Sequence, residues 1–306
     1  MLPALILIII SVWRISSGEW DMPFTDVIRF LLCGGNSPEA IVIRSVRLPR
    51  LLCSMMTGGI LSVSGSTLQA LLANPLAEPY TLGIASGAAF GAAVGILGGA
   101  LIVMPCAFGG ALLALMLTGI IAHHGGQDRI ILAGVISNAI LSAGATFLKA
   151  IAGDKLGAVV LWLMGSFAGS SWPDVRAVIA GAAIVCIPAY VAGDMLDAMS
   201  LGKDRGAVLG VNEGVVRMLL LVSTSVGVAL CVSSFGVIGF VGLVVPHVSR
   251  VLYGASHRRM MVHAFILGAG LMCVADGVAQ GMGEVPAGVI TALAGGPFFC
   301  WVLAGR

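Results

Sequence analysis

The chain has 306 residues, enough for two soluble domains, but 58% of them are apolar and only 10% are charged. A soluble chain carries about 25% charged residues, and so few charges cannot cover a water-facing surface of this size. Sixteen Lys and Arg against 14 Asp and Glu leave a net charge of +2, which points to no nucleic acid or other polyanionic partner; the disulfide-scaffold and disordered classes fall with the soluble one. The composition is that of an all-α polytopic membrane protein.

Taken in chain order, the stretches free of Asp, Glu, Lys and Arg predict ten spans. They lie near 2–13, 51–73, 82–103, 105–122, 130–148, 177–193, 218–236, 239–252, 260–280 and 287–305, since a spanning helix needs about 20 mostly apolar residues. The first is short before Arg14 and lacks the basic start and small-residue cleavage site of a secretory signal. The interval between Glu78 and Asp128 holds two spans, with Pro105 as the natural break. Segment 158–167 is apolar but short, which suits an interfacial or re-entrant piece. The eighth span is also short and reads as broken by Pro246. Ten spans place both termini on one side. The Lys and Arg residues divide evenly between the two sides, so the positive-inside rule gives no orientation. The whole chain, 1–306, reads as one transmembrane domain whose most polar loop is 194–217.

Several segments carry more than hydrophobicity. The 43 glycines are about twice the usual share. Gly83, Gly87, Gly91, Gly95 and Gly99 recur every four residues, which fits generic packing between membrane helices or, more sharply, a helix gripped by a neighbour or lining a pathway. Arg44, Arg47 and Arg50 lie around Pro49, which is read as stiffening a turn directly before a span. They are either a basic flank at the membrane surface or a fixed guanidinium cluster for a partner's carboxylates. Segment 73–81 holds Asn74-Pro75 and Pro79, a stiff connector suited to a gate. In 194–217, Leu201-Gly202 and Leu209-Gly210 bracket Lys203, Asp204 and Arg205. That stretch is a solvated loop or a short amphipathic helix for a soluble partner.

Asp276 and Gln280 stand four apart and share a helix face, in a functional or an interfacial structural role. His247 and the pair His123-His124 lack a carboxylate or Cys at metal-ligand spacing, so no metal site is expected. The seven cysteines form no CxxC pair and read as small apolar fillers. No GxxxxGK[ST], HExxH or GxSxG motif occurs, so the chain has no phosphate-cradling loop of its own and no recognisable catalytic residue.

From Arg47-Leu48-Pro49-Arg50 through Ser64-Gly65, Gln69, Asn74-Pro75-Leu76-Ala77-Glu78-Pro79, Leu82-Gly83 and Ser86-Gly87-Ala88, the sequence resembles the FecCD-type permease family. These are the membrane subunits of ATP-binding-cassette importers for iron-siderophore complexes, haem and cobalamin. The resemblance continues through Ile131 to Val135, Trp162 to Ser166, Leu201-Gly202, Leu209-Gly210-Val211, Gly242 to His247, Ala275-Asp276 and Glu284 to Gly288.

The resemblance implies the type II importer architecture, a ten-helix subunit paired with a second copy or a similar chain in the cytoplasmic (inner) membrane of a prokaryote. Its partners would be two copies of an ATPase, which uses the ATP and Mg, and a periplasmic or surface-anchored substrate-binding protein. This chain itself would hold no cofactor or metal. Both termini and the 194–217 loop would face the cytoplasm. Carried over by position, Arg47 and Arg50 dock acidic residues of the binding protein, and Gln280 stands where the family has a third arginine. Asn74 and Leu76 form one part of the cytoplasmic gate, and Gln127 and Asp128 fall at the other. Leu201, Gly202, Lys203, Asp204, Arg205, Leu209 and Gly210 form the helix that couples to the ATPase, with Lys203 and Gly206 departing from the family pattern. The expected cargo is a bulky metal chelate, a ferric siderophore first, then cobalamin or haem. A secondary transporter, which needs inverted repeats, and an intramembrane enzyme, which needs convergent polar residues at one depth, are the competing classes.

Overall fold

The structure is a computed structural model that describes residues 2–16, 37–99, 102–122, 127–200, 213–254 and 256–304. All regular elements among them are helical. In chain order they are α1 (Leu2–Ser16), α2 (Pro38–Val42), a π-helical turn (Ile43–Arg47), α3 (Leu48–Leu71), a 3₁₀ turn (Pro79–Leu82), α4 (Ile84–Gly98) and α5 (Val103–Ile121). Then come α6 (Gln127–Ala150), a 3₁₀ turn (Gly153–Lys155), α7 (Leu156–Leu163), α8 (Trp172–Val191), α9 (Gly193–Ser200), α10 (Glu213–Phe235), α11 (Val241–Tyr253), α12 (His257–Gly281) and α13 (Ala287–Ala304). Six described segments are long and apolar enough to cross a membrane, and four shorter apolar helices accompany them. Together they fall on the ten predicted intervals.

Two local expectations need correction. The segment 44–50 is not a proline-stiffened turn. The π-helical turn runs straight into α3, and Pro49 sits in the first turn of α3, directly after the wider π-helical hydrogen-bonding pattern. Pro246 does not break the eighth span either, because α11 runs through it. A proline leaves the carbonyl four residues back without its helical donor, here Gly242, and Gln69 Nε2 donates to that carbonyl at 3.4 Å. The short apolar segment near 158–167 is α7 followed by a non-helical turn, as a re-entrant piece requires.

Helix α3 is the axis of the fold and is buried on nearly every side, against α8, α10, α11 and α12. Glycine makes this possible. A Cβ at Gly58 would lie 2.1 Å from the Gly268 carbonyl of α12, and one at Gly65 would lie 1.9 Å from the Gly242 carbonyl of α11. With no hydrophobic effect to drive helices together in lipid, such close backbone approach supplies the packing energy. Some buried hydroxyls on α3 fold back on their own helix, Ser62 to Gly58 O at 2.7 Å and Thr67 to Val63 O at 2.8 Å. The predicted glycine stripe resolves as a gripped helix. Added Cβ atoms at Gly87 and Gly91 on α4 would meet the carbonyls of Gly110 and Cys106 on α5 at 2.3 and 2.0 Å.

Candidate functional site

The ends of α1, α3 and α12 meet at one end of the bundle in a charged cluster. Arg50, 7% exposed, donates Nε and Nη2 to Asp276 at 2.9 Å and Nη1 and Nη2 to Glu284, both at 2.9 Å. Asp276, 1% exposed, also accepts from Arg14 Nη2 at 2.6 Å, and Arg14 Nη1 donates to Gln280 Oε1. Two arginines therefore face two carboxylates across three helices, with Gln280 completing the acceptors. Arg47 donates to Ile15 O at 2.6 Å and Ser16 O at 3.3 Å, capping carbonyls that the end of α1 leaves unpaired. Arg44 is exposed, and its carbonyl accepts from Trp172 Nε1 at 3.1 Å. Among the three arginines read as one cluster, Arg47 and Arg50 are thus engaged within the chain. The i, i+4 spacing of Asp276 and Gln280 flagged this face correctly. Arg14 and Glu284 were missed, and the available signal was a charge at each neighbouring span end.

The second region is the connector after α3. Asn74 Oδ1 accepts from the Leu76 N–H at 2.9 Å, and the Asn74 carbonyl accepts from the Ala77 N–H at 3.0 Å. This is a self-bonded turn that leaves Leu76 45% exposed. Tyr80 then reaches the non-helical link between α10 and α11. Its hydroxyl donates to Ile238 O at 2.7 Å and accepts from Ile238 N at 3.0 Å. Tyr80 thereby pairs backbone groups that the non-helical link leaves without helical partners. Burial pushes the half-buried Glu78 acid up to about 7, an effect the Phe240 backbone N–H only partly offsets. Phe240 has φ +68°, an uncommon conformation for a bulky side chain.

The same link touches two further segments through glycine. Gly165 after α7, Gly236 in the link and Gly288 at the start of α13 would each place a Cβ within 2.3 Å of a neighbouring carbonyl: Val237, Trp162 and Met164 respectively. The Gly288 N–H donates to Gly165 O at 3.1 Å and the Ser166 N–H to Phe235 O at 2.8 Å. Helix α6 meets the connector through Gly134, whose Cβ would lie 2.1 Å from Thr81 O. Asp128 is exposed in the first turn of α6; Gln127 opens that helix, and its side chain lies outside the described residues.

Leu201, Gly202, Lys203, Asp204, Arg205, Leu209 and Gly210 lie outside the described residues, as do His123 and His124. The approach to that loop is described. Helix α9 is tied to the start of α12 by Asp197, which accepts from the His257 N–H at 2.9 Å, and by an exposed Asp194–Arg258 pair at 2.9 Å. His247 packs edge-on to Phe298 with ring centroids 6.5 Å apart. No group of three or more His, Cys, Asp or Glu that could hold a metal occurs among the described residues.

Residues 5–305 match the model of the FecCD transport family. The chain belongs to that family. It is 34% identical over 311 residues to an iron chelatin transport system permease protein of Helicobacter pylori, covering 98% of this chain and 94% of the relative. It is 37% identical over 281 residues to the hemin transport system permease protein of Yersinia pestis, covering 85% and 82%. A solved structure described as an inward-facing conformation of a metal-chelate type ABC transporter superposes with a TM-score of 0.88 at 29% identity, covering 99% of this chain and 98% of that one. The FecCD match takes in the charged cluster, the Asn74–Leu76 connector and the 236–240 link alike, and makes the chain a multi-pass membrane protein of type II importer architecture.

Proposed function

We propose that the chain is the membrane-spanning permease subunit of an ATP-binding-cassette importer that moves a bulky metal chelate, a ferric siderophore first, across the cytoplasmic membrane of a prokaryote. The observation that carries this reading is the end-to-end backbone agreement with a metal-chelate type transporter. The cargo is the finer part of the proposal, since relatives of similar identity are named for an iron chelatin and for hemin. Cobalamin is the further alternative.

In this reading the chain pairs with a second permease and with two ATPase copies, and catalyses no reaction itself. The loop holding Leu201 to Gly210 seats on the ATPase, and the termini share its cytoplasmic side. The Asn74–Leu76 connector, with Gln127 and Asp128 opposite, closes the cytoplasmic end of the path. Arg47 and Arg50, beside Gln280, then lie at the outer end, where a binding protein's acidic side chains dock. ATPase closure pushes on α9 and the coupling loop, and the bundle tilts as a body until the connector parts.

Purification of the tagged chain from native membranes in gentle detergent, with crosslinking and mass spectrometry, tests this. The expected result is a P-loop ATPase in about one-to-one ratio and an extracytoplasmic binding protein. The absorbance of the binding protein's cargo identifies the chelate. Chelate uptake that persists after the ATPase gene is deleted would overturn the importer reading in favour of a secondary transporter.

A further inference from the structure

Arg50 holds two carboxylates of different kinds. Asp276 sits within α12, is 1% exposed and is shared with Arg14. Glu284 lies beyond the end of α12, its side chain is 41% exposed, and its backbone has φ +63°. That left-handed conformation is unfavourable for a glutamate. Glu284 nevertheless bonds Arg50 by both oxygens, each to a separate Nη. The inner edge of the guanidinium, Nε and Nη2, is fixed by Asp276. The edge toward solvent is covered by the partly exposed Glu284 side chain on a left-handed backbone. Charge completes the picture, because Arg14 and Arg50 against Asp276 and Glu284 sum to zero, whereas without Glu284 the cluster carries one positive charge.

We propose that Glu284 is a displaceable internal carboxylate that holds the place of a binding protein's acidic side chain on Arg50, and so sets docking affinity. This rests on the docking reading given above, and it explains how a buried, paired arginine can also serve a partner. Docking becomes the exchange of one carboxylate for another at the outer edge of Arg50. Asp276 keeps the guanidinium in place throughout, so no buried charge is left unpaired, a state that is strongly unfavourable. The partner must beat an intramolecular competitor, which favours a bidentate, correctly spaced acidic side chain over a diffuse negative surface. Glu284 is thus a specificity-determining residue of the outer face.

The test uses the chain with its ATPase in lipid nanodiscs and the binding protein recovered with it, measuring the dissociation constant. Glu284→Gln and Glu284→Ala are each expected to tighten docking about fivefold to tenfold, the scale of one partly exposed charge-assisted contact. Arg47→Glu is expected to weaken docking in both the wild-type and the Glu284→Gln background. If both Glu284 variants bind equally or more weakly while Arg47→Glu still weakens docking, Glu284 merely positions Arg50 and the placeholder is overturned. If Arg47→Glu changes nothing, it is the docking reading itself that fails.

Discussion

Asp276 balances two buried arginines that reach it from different helices, Arg14 at 2.6 Å and Arg50 at 2.9 Å. Removing its charge strands Arg14, which keeps only Gln280, and leaves Arg50 with the partly exposed Glu284 alone. Asp276→Asn is therefore expected to destabilise the chain by about 3–5 kcal/mol, the cost of leaving a buried charge unpaired, seen as a lowered thermal midpoint in detergent. Glu284→Gln, at a side chain 41% exposed, should change that midpoint little. Glu78 gives a pH dependence. Burial favours its neutral acid, so the connector is held most firmly below the ordinary value of 4.5 and loosens as pH rises through about 7. Protection factors over residues 74–82, that is, amide exchange corrected for its intrinsic rise with pH, should be higher at pH 5 than at pH 8, and Glu78→Gln should flatten the difference. At this scale the sequence disclosed partners on one helix, Asp276 and Gln280, because helical spacing is a local rule. It did not disclose Arg14 and Glu284, because three-dimensional adjacency of span ends leaves no trace in spacing.

The helices were legible as elements because charge-free length is a direct readout of the lipid environment, and all ten intervals have a helix on them. Their interruptions were less legible. Pro246 reads as a break in isolation, but the Gly242 carbonyl it leaves free is met by Gln69 of α3, 173 positions away. The glycine stripe of α4 declared itself by its period, and its consequence is measurable. Gly91→Leu would drive a side chain into the Cys106 carbonyl, 2.0 Å from the new Cβ, and should separate α4 from α5 at a cost of roughly 2 kcal/mol or more. Gly109→Ala on α5, with open space around its Cβ, should stay within about 0.5 kcal/mol. Thermal unfolding of the two variants side by side checks both.

At the scale of the whole molecule, evenly divided basic residues left the sidedness of the chain unreadable from composition, and only its family membership bears on it. The proposed coupling loop makes that orientation testable: Leu201→Asp together with Leu209→Asp should release the ATPase during purification while the permease stays folded, and retained co-purification would count against that placement. One feature of the interior bears on how such a subunit can move. The joint at Gly165, Gly236 and Gly288 is mainly backbone on backbone, with the Ile238 side chain beside Gly165, and Tyr80 bolts the connector to the same link. Rotamers normally absorb small displacements, and few line this joint to do so. The joint therefore has little backlash: a shift of the link carries to the α7 turn and the head of α13. The slip plane of any opening motion must lie elsewhere, along contacts filled by side chains.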